Sequence, residues 1–393
     1  MRVVGIIAEY NPFHLGHAYH LAQARQLANA DAVVVVMSSV FTQRGDAALL
    51  SPADRARMAL SAGADAVFAL PAAWAVRDAE HFALGGISIL TGLGCDAISF
   101  GTESTDLSAL QTAARLLEAP DEAFSAAVRA RMNAGLPYPA ALSAALESVA
   151  PGCGTLLANP NSTLAVCYLR AMIRLHAQME VVPVQRIGGY HDSSLNNALP
   201  SATALRGAIL RGDWARVEAA MPPEAYRILR QAAAENHLHR PEALDTALLY
   251  RLRTMSANEY AALPDASEGV ENRLMTAAIS ARSREELLQA AKTRRYPYAR
   301  LSRMATHALL GLTDEALQSE PLPQAAWLLG FRKDKRELFT HFREHGTLPI
   351  LGKAADFDRS APWFAAECKA YDIWSLGANQ PAGLALTQGV VVL

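Results

Sequence analysis

Short, uninterrupted apolar runs alternate with longer amphipathic stretches over the first part of the chain. Val3 to Ala8 is the first run, Val33 to Met37 the second, Ala66 to Leu70 the third and Ala97 to Phe100 the fourth. A run that is apolar on successive residues predicts a strand covered on both faces, as in a parallel sheet. Between these runs, Gly16 to Asn29 carries Leu21, Ala24 and Leu27 at helical spacing, and Ala79 to Leu93 reads as a further helix. Ser51-Pro52 places a hydroxyl N-cap before a proline at the first helical position, which marks another helix start. Strand and helix in this rhythm predict right-handed crossovers and a doubly wound α/β sheet.

Further along, Asp106 to Val149 reads as a helical excursion, Asn161 to Gln178 as a helix and Val181 to Val184 as another strand. Near residue 210 the pattern changes, and Glu224 to Leu317 is mostly amphipathic helix rich in Arg and Glu. Trp327 to Gly330 and Leu348 to Ile350 read as short strands around a helix at Asp334 to Glu344. The expected division is a sheet domain over 1–215 and a mostly helical domain over 216–393.

Composition narrows the function classes. The 393 residues are 51% hydrophobic and 19% charged, enough to build sizeable cores. Lys and Arg number 36 against 38 Asp and Glu, so any nucleic-acid surface must be a local basic patch. Cys95, Cys153, Cys167 and Cys368 form no Cys-x-x-Cys pair and read as reduced core thiols. Val3 to Ala8 is too short for a signal-peptide core, and Asp96 and several glycines interrupt the apolar stretch Phe82 to Phe100. No membrane span and a cytoplasmic location are expected.

The strongest chemical signal is Tyr10-Asn11-Pro12-Phe13-His14-Leu15-Gly16-His17, between the first strand and the first helix. Ligands of open α/β sheets bind in the crevice at such strand ends. The helix start is expected to offer free backbone N–H groups to phosphate, and Gly16 to let a nucleotide approach the backbone. His14 and His17 can donate to phosphate oxygens as charge develops on them. With His20 they could instead form a zinc cluster, although Glu9 is the sole carboxylate nearby in sequence. Ser201-Ala202-Thr203-Ala204-Leu205-Arg206 combines N-cap hydroxyls with a guanidinium, a phosphate clamp that an ordinary capped helix would also carry. Between residues 292 and 303, Lys292, Arg294, Arg295, Arg300 and Arg303 are interleaved with Tyr296 and Tyr298. Cations pair with phosphate and tyrosines stack on unpaired bases, which makes this the candidate RNA contact; a solvated basic face is the alternative.

The first motif resembles the Gly-x-Phe-Asp-Pro-x-His-x-Gly-His signature of the nucleotidyltransferase superfamily, with Ala8, Tyr10 and Asn11 departing from it. The Ser201 to Arg206 stretch is similar to that superfamily's Ser-Ser-Thr-x-Ile-Arg motif. Class I aminoacyl-tRNA synthetases share the His-x-Gly-His element, but no Lys-Met-Ser-Lys-Ser-like run is found here. Gln43-Arg44-Gly45, Leu70-Pro71, Phe100-Gly101-Thr102-Glu103, Asn159-Pro160-Asn161, Gln185-Arg186-Ile187, Tyr190-His191-Asp192, Glu271-Asn272-Arg273 and Lys292-Thr293-Arg294-Arg295-Tyr296 follow in the order of the bacterial tRNA(Met) cytidine acetate ligase family. Ser38-Ser39 stands where that family has a glycine-containing turn.

This resemblance implies a Rossmann-like nucleotidyltransferase sheet followed by a mostly helical region. It implies that ATP and acetate give acetyl-adenylate and pyrophosphate, and that the acetyl group passes to the wobble cytidine of elongator tRNA(Met), giving N4-acetylcytidine. The ATP contacts it implies are Ile7, Ala8, Glu9, Tyr10, Asn11, Pro12, Phe13, His14, Leu15, Gly16, His17, Ala18, Tyr19 and His20, with Gly101, Asn161 and Arg186. Ser201 and Thr203 would hold the triphosphate. His14, His17 and Arg206, with a Mg²⁺ ion, would neutralise charge at the α-phosphate. A small-molecule nucleotidyltransferase and a non-catalytic RNA-binding protein with a nucleotide site are the rival readings.

Overall fold

The computed structural model describes residues 1–186 and 201–393. Strands β1 (Val3–Ala8), β2 (Ala32–Ser38), β3 (Ala66–Leu70), β4 (Ala97–Thr102) and β5 (Glu180–Gln185) form a parallel sheet in the order β5-β4-β1-β2-β3. Register runs Val3↔Ala32 to Ala8↔Met37 between β1 and β2, and Val4↔Ala97 to Ile6↔Ser99 between β1 and β4. β2 and β3 are buried along their whole length, which is why they read as continuous apolar runs. Strand order reverses between β1 and β4, because the chain fills one side of β1 with β2 and β3 before crossing to the other. That reversal opens a crevice at the carboxyl ends of β1 and β4.

Helix α1 (Leu15–Leu27) follows β1, and α2 (Pro52–Ser61) follows β2, with Ser51 capping Asp54 N–H as its sequence anticipates. The excursion between β4 and β5 is three helices, Leu107–Glu118, Glu122–Asn133 and Tyr138–Val149, which return to helix Pro160–Arg174. The residues after β5, 187–200, lie outside the described residues, and with them Ile187 and the Tyr190-His191-Asp192 motif.

The two hydrophobic cores do not part at residue 215. One core holds the sheet and its helices, continues through Ile228 and Leu229, and resumes from Leu310 to Val391. A separate core packs Leu248, Leu252, Leu274, Leu287, Leu301 and Met304 from four helices, Asp245–Thr254, Val270–Ser280, Arg284–Ala291 and Tyr298–Leu310. The helical unit is therefore an insertion, and the chain then returns to the sheet. β6 (Ala326–Phe331) pairs antiparallel with β3, and β7 (Ile350–Leu351) and β8 (Val391–Val392) pair with β6. The short strands read from Trp327 and Ile350 belong to the sheet domain because their apolar faces complete its edge. Among the described residues no helix is long and apolar enough to cross a membrane.

Candidate active site

At the end of β1 the backbone turns sharply. Tyr10 takes a left-handed φ of 48°, and the Asn11-Pro12 peptide is cis. Asn11 Oδ1 accepts from Leu49 N–H at 2.8 Å, and Tyr10 and Phe13 are buried with their rings 4.8 Å apart. This anchored turn delivers His14 to the N-cap of α1 in extended conformation.

The two histidines cap each other. His14 Nδ1 accepts from Gly16 N–H at 3.0 Å, and His17 Nδ1 accepts from His14 N–H at 3.2 Å. Their rings stack with centroids 3.7 Å apart, and His17 also packs on Tyr10. With both Nδ1 atoms used as acceptors, each neutral ring carries its proton on Nε2. Burial, reinforced by the Arg186 charge, lowers the His14 pKa to about 3 and the His20 pKa to about 4. Burial lowers His17 as well, with help from its neighbours His14, His20 and Arg186. All three are neutral at pH 7. They do not converge as a metal cluster: His20 Nε2 is 3.1 Å from Ser99 Oγ, and no group of three or more His, Cys, Asp or Glu is gathered for a metal among the described residues.

This arrangement corrects one expectation. The first amides of α1 are all engaged, Leu15 N–H by Ala220 O, Gly16 N–H by His14 Nδ1, and His17 and Ala18 N–H by His14 O. None of these amides is left free at the start of the helix. Gly16 also has a structural reason of its own. A Cβ there would stand 2.9 Å from His14 Cε1, so the glycine makes room for the imidazole.

Cations arrive from other elements. Helix Ala202–Leu210 is capped by Ser201, whose Oγ accepts from Ala204 N–H at 3.2 Å. From it Arg206 donates to Asn11 O at 2.6 Å and to Thr203 Oγ1 at 3.2 Å, joining the two motifs. Arg186, at the end of β5, donates to Asn161 Oδ1 at 3.2 Å, while Asn161 Nδ2 donates to Glu103 Oε1 at 2.5 Å. Asn161 thus orients Arg186. A Cβ on Gly101 would touch the Arg186 side chain at 3.4 Å, so this glycine lies beside its stem. Glu9 is half-buried, accepts from Gln43 N–H at 2.8 Å, and has its pKa raised by burial against the pull of Gln43 and Arg206.

Set against known proteins, this geometry has a family. The profile of the HIGH Nucleotidyl Transferase family matches residues 1–387. The tRNA(Met) cytidine acetate ligase of Anoxybacillus flavithermus is 36% identical over 379 residues, covering 94% of this chain and 93% of that protein. That of Bacillus licheniformis is 35% identical, covering 99% of this chain and 95% of that protein. The chain belongs to this family. Among solved structures, Thermotoga maritima TmcAL bound with alpha-thio ATP superposes with a TM-score of 0.92 at 26% identity, covering all of both chains. The same protein without ligand gives 0.93 at 27% identity.

Two features of this family member escape a sequence reading. Arg55, on α2, is fully buried and donates to the carbonyls of Glu9 (2.8 Å), Ser38 (2.9 Å), Ser39 and Leu50 (3.1 Å), tying the ends of β1 and β2 together. Burial lowers its pKa to about 10, still cationic at pH 7. Gln43-Arg44-Gly45, read only as a motif, makes the contact to Glu9 described above.

The basic cluster of the helical unit splits into two groups. Lys292, Arg294 and Arg295 are exposed, the last paired with Glu268 at 3.3 Å. Tyr296 is half-buried, with Arg295 and Arg300 over its ring at 5.8 and 5.9 Å. Arg300 is turned onto Asp265 O and Ser267 Oγ. Arg303 is buried and paired with Asp265 at 2.9 Å, so it braces the fold and does not belong to the exposed patch.

Proposed function

We propose that this protein is an ATP-dependent ligase that forms acetyl-adenylate and passes the acetyl group to the wobble cytidine of elongator tRNA(Met). The observation that carries this reading is Arg206, brought from a distant motif onto the Asn11 carbonyl beside two imidazoles with Nε2–H donors. ATP would lie across the carboxyl ends of β1 and β4, with its α-phosphate at His14, His17 and Arg206 and with Arg186 supplying further positive charge. Ser201 and Thr203, at the start of the Arg206 helix, face the same role toward the triphosphate.

In the first step an acetate oxygen attacks the α-phosphorus and the bond to pyrophosphate breaks. Two neutral, fixed N–H donors stabilise charge developing on the phosphoryl oxygens without reorganising, and the guanidinium balances the leaving group. In the second step the exocyclic amine of cytosine attacks the acetyl carbonyl, AMP leaves, and the amine gives up a proton. The base must leave its stack for the amine to reach the site. A Mg²⁺ ion accompanying the nucleotide would draw most of its ligands from phosphate and water, with Glu9 as a carboxylate at hand. Lys292, Arg294 and Arg295, with Tyr296, are the proposed tRNA contact.

The test uses purified protein with ATP, labelled acetate and a tRNA mixture. Acetate-dependent ATP–pyrophosphate exchange and label recovered as N4-acetylcytidine are expected. His17→Ala should lower exchange about a hundredfold or more, the usual effect of losing a transition-state donor. Exchange unchanged by that substitution, or label absent from tRNA, contradicts the proposal.

A further inference from the structure

The helical unit and the sheet domain meet at the loop Gln43–Asp46, after β2. On the helical side, Arg284 Nη1 pairs with Asp46 Oδ1 at 2.9 Å, and its Nη2 donates to Gly45 O at 2.9 Å and Ser302 Oγ at 2.7 Å. Ser302 Oγ donates to Arg44 O and Thr306 Oγ1 to Gly45 O, both at 2.6 Å. On the sheet side, Gln43 N–H holds the Glu9 carboxylate and Gln43 Nε2 donates to Arg77 O at 2.6 Å. The loop has no slack. Gly45 has a φ of 82°, and a Cβ there would lie 2.9 Å from both Ser302 O and Thr306 Oγ1. Helix Tyr298–Leu310 grips the sheet domain again through His307 Nε2, 2.6 Å from the O of Val76, in the segment after β3.

We infer that this loop is a rigid tie through which the helical unit sets the position of the Glu9 carboxylate at the nucleotide site, with Arg284 as the positioning residue that holds it. The inference rests on the reading that ATP lies against Glu9. A carboxylate facing a triphosphate is sensitive to its placement. A shift of about 1 Å between charges about 4 Å apart changes an equilibrium about fourfold at an effective dielectric of about 20. Because coupling is reciprocal, RNA held by the helical unit and ATP held by the sheet then alter each other's affinity through the same loop.

The experiment is acetate-dependent ATP–pyrophosphate exchange on the full chain carrying Arg284→Met, Glu9→Gln, or both. Arg284→Met is expected to change KM for ATP about fivefold with kcat within twofold. In the Glu9→Gln background the same change is expected to have no further effect on KM. An unchanged KM, or an Arg284→Met effect of equal size in both backgrounds, overturns the inference. If Arg284→Met does not fold, Thr306→Val, which removes one hydroxyl from Gly45 O, provides the same cycle. Failure of the underlying reading looks different: Glu9→Gln and His17→Ala would both leave the ATP kinetics unaltered.

Discussion

Gly16 sits where two residue-level effects oppose each other. Alanine is the better helix former by about 1 kcal/mol, so on propensity alone Gly16→Ala should stabilise α1. Its Cβ would press on a His14 ring that is itself nearly buried, and the ring must swing away. The expected outcome is a melting temperature within a few degrees of wild type and ATP affinity lowered at least tenfold by calorimetry; undiminished affinity would contradict it. His14, Gly16 and His17 could all be picked out from spacing. The full engagement of the helix start could not, because the Leu15 N–H that opens α1 donates to Ala220 O, from a remote part of the chain.

At the scale of elements, α2 fastens the site from behind. Arg55 holds four carbonyls at the ends of β1 and β2, and each would lose its donor in Arg55→Met. Removing a buried charged partner costs about 3–5 kcal/mol, against which the hydrophobic gain of methionine is small. Urea unfolding should show a loss of that size; a change under about 1 kcal/mol would mean that the carbonyls find other donors. Periodicity gives no warning of this residue, since an arginine on an amphipathic helix is ordinarily solvated. The exposed basic patch makes a different prediction. Lys292→Ala with Arg294→Ala should weaken tRNA binding and flatten the dependence of log K on log salt by about 1 to 2, with stability unaltered. An unchanged salt slope would remove these two residues from the RNA contact.

For the whole molecule, buried titratable groups set the response to acid. His14, His17, His20, His239 and His307 all have pKa values lowered first by burial, to about 4 for the last two. The unfolded chain therefore binds more protons than the native one below about pH 6.5, and stability falls as pH drops from there toward 4. Glu9, and Glu367 with its pKa raised to about 7, act in the opposite sense, because the native state keeps protons there that the unfolded chain releases as pH rises above about 4.5. Five histidines outweigh two carboxyls between pH 4.5 and 6.5. A net uptake of two protons on unfolding would lower stability by about 2.7 kcal/mol per pH unit. The urea midpoint should be lower at pH 5 than at pH 7; a midpoint that rises would refute the balance. The parallel strands and most helices were legible from runs and periodicity because each is a local pattern. The return of β6 to β3 was not, since antiparallel pairing between residues 66–69 and 327–331 depends on which sheet edge remains bare after the inserted helices have packed on themselves.

If ATP binds as proposed, the mutual capping of His14 and His17 leaves the hold on phosphate in the keeping of side chains. A cradle of main-chain amides survives nearly any change of codon, because every residue but proline carries the same donor. Here, replacing an imidazole or a guanidinium removes the donor outright while the sheet behind it stays intact. Relatives that have abandoned the chemistry should therefore be recognisable by losses at His14, His17 or Arg206 alone, on an otherwise undisturbed scaffold.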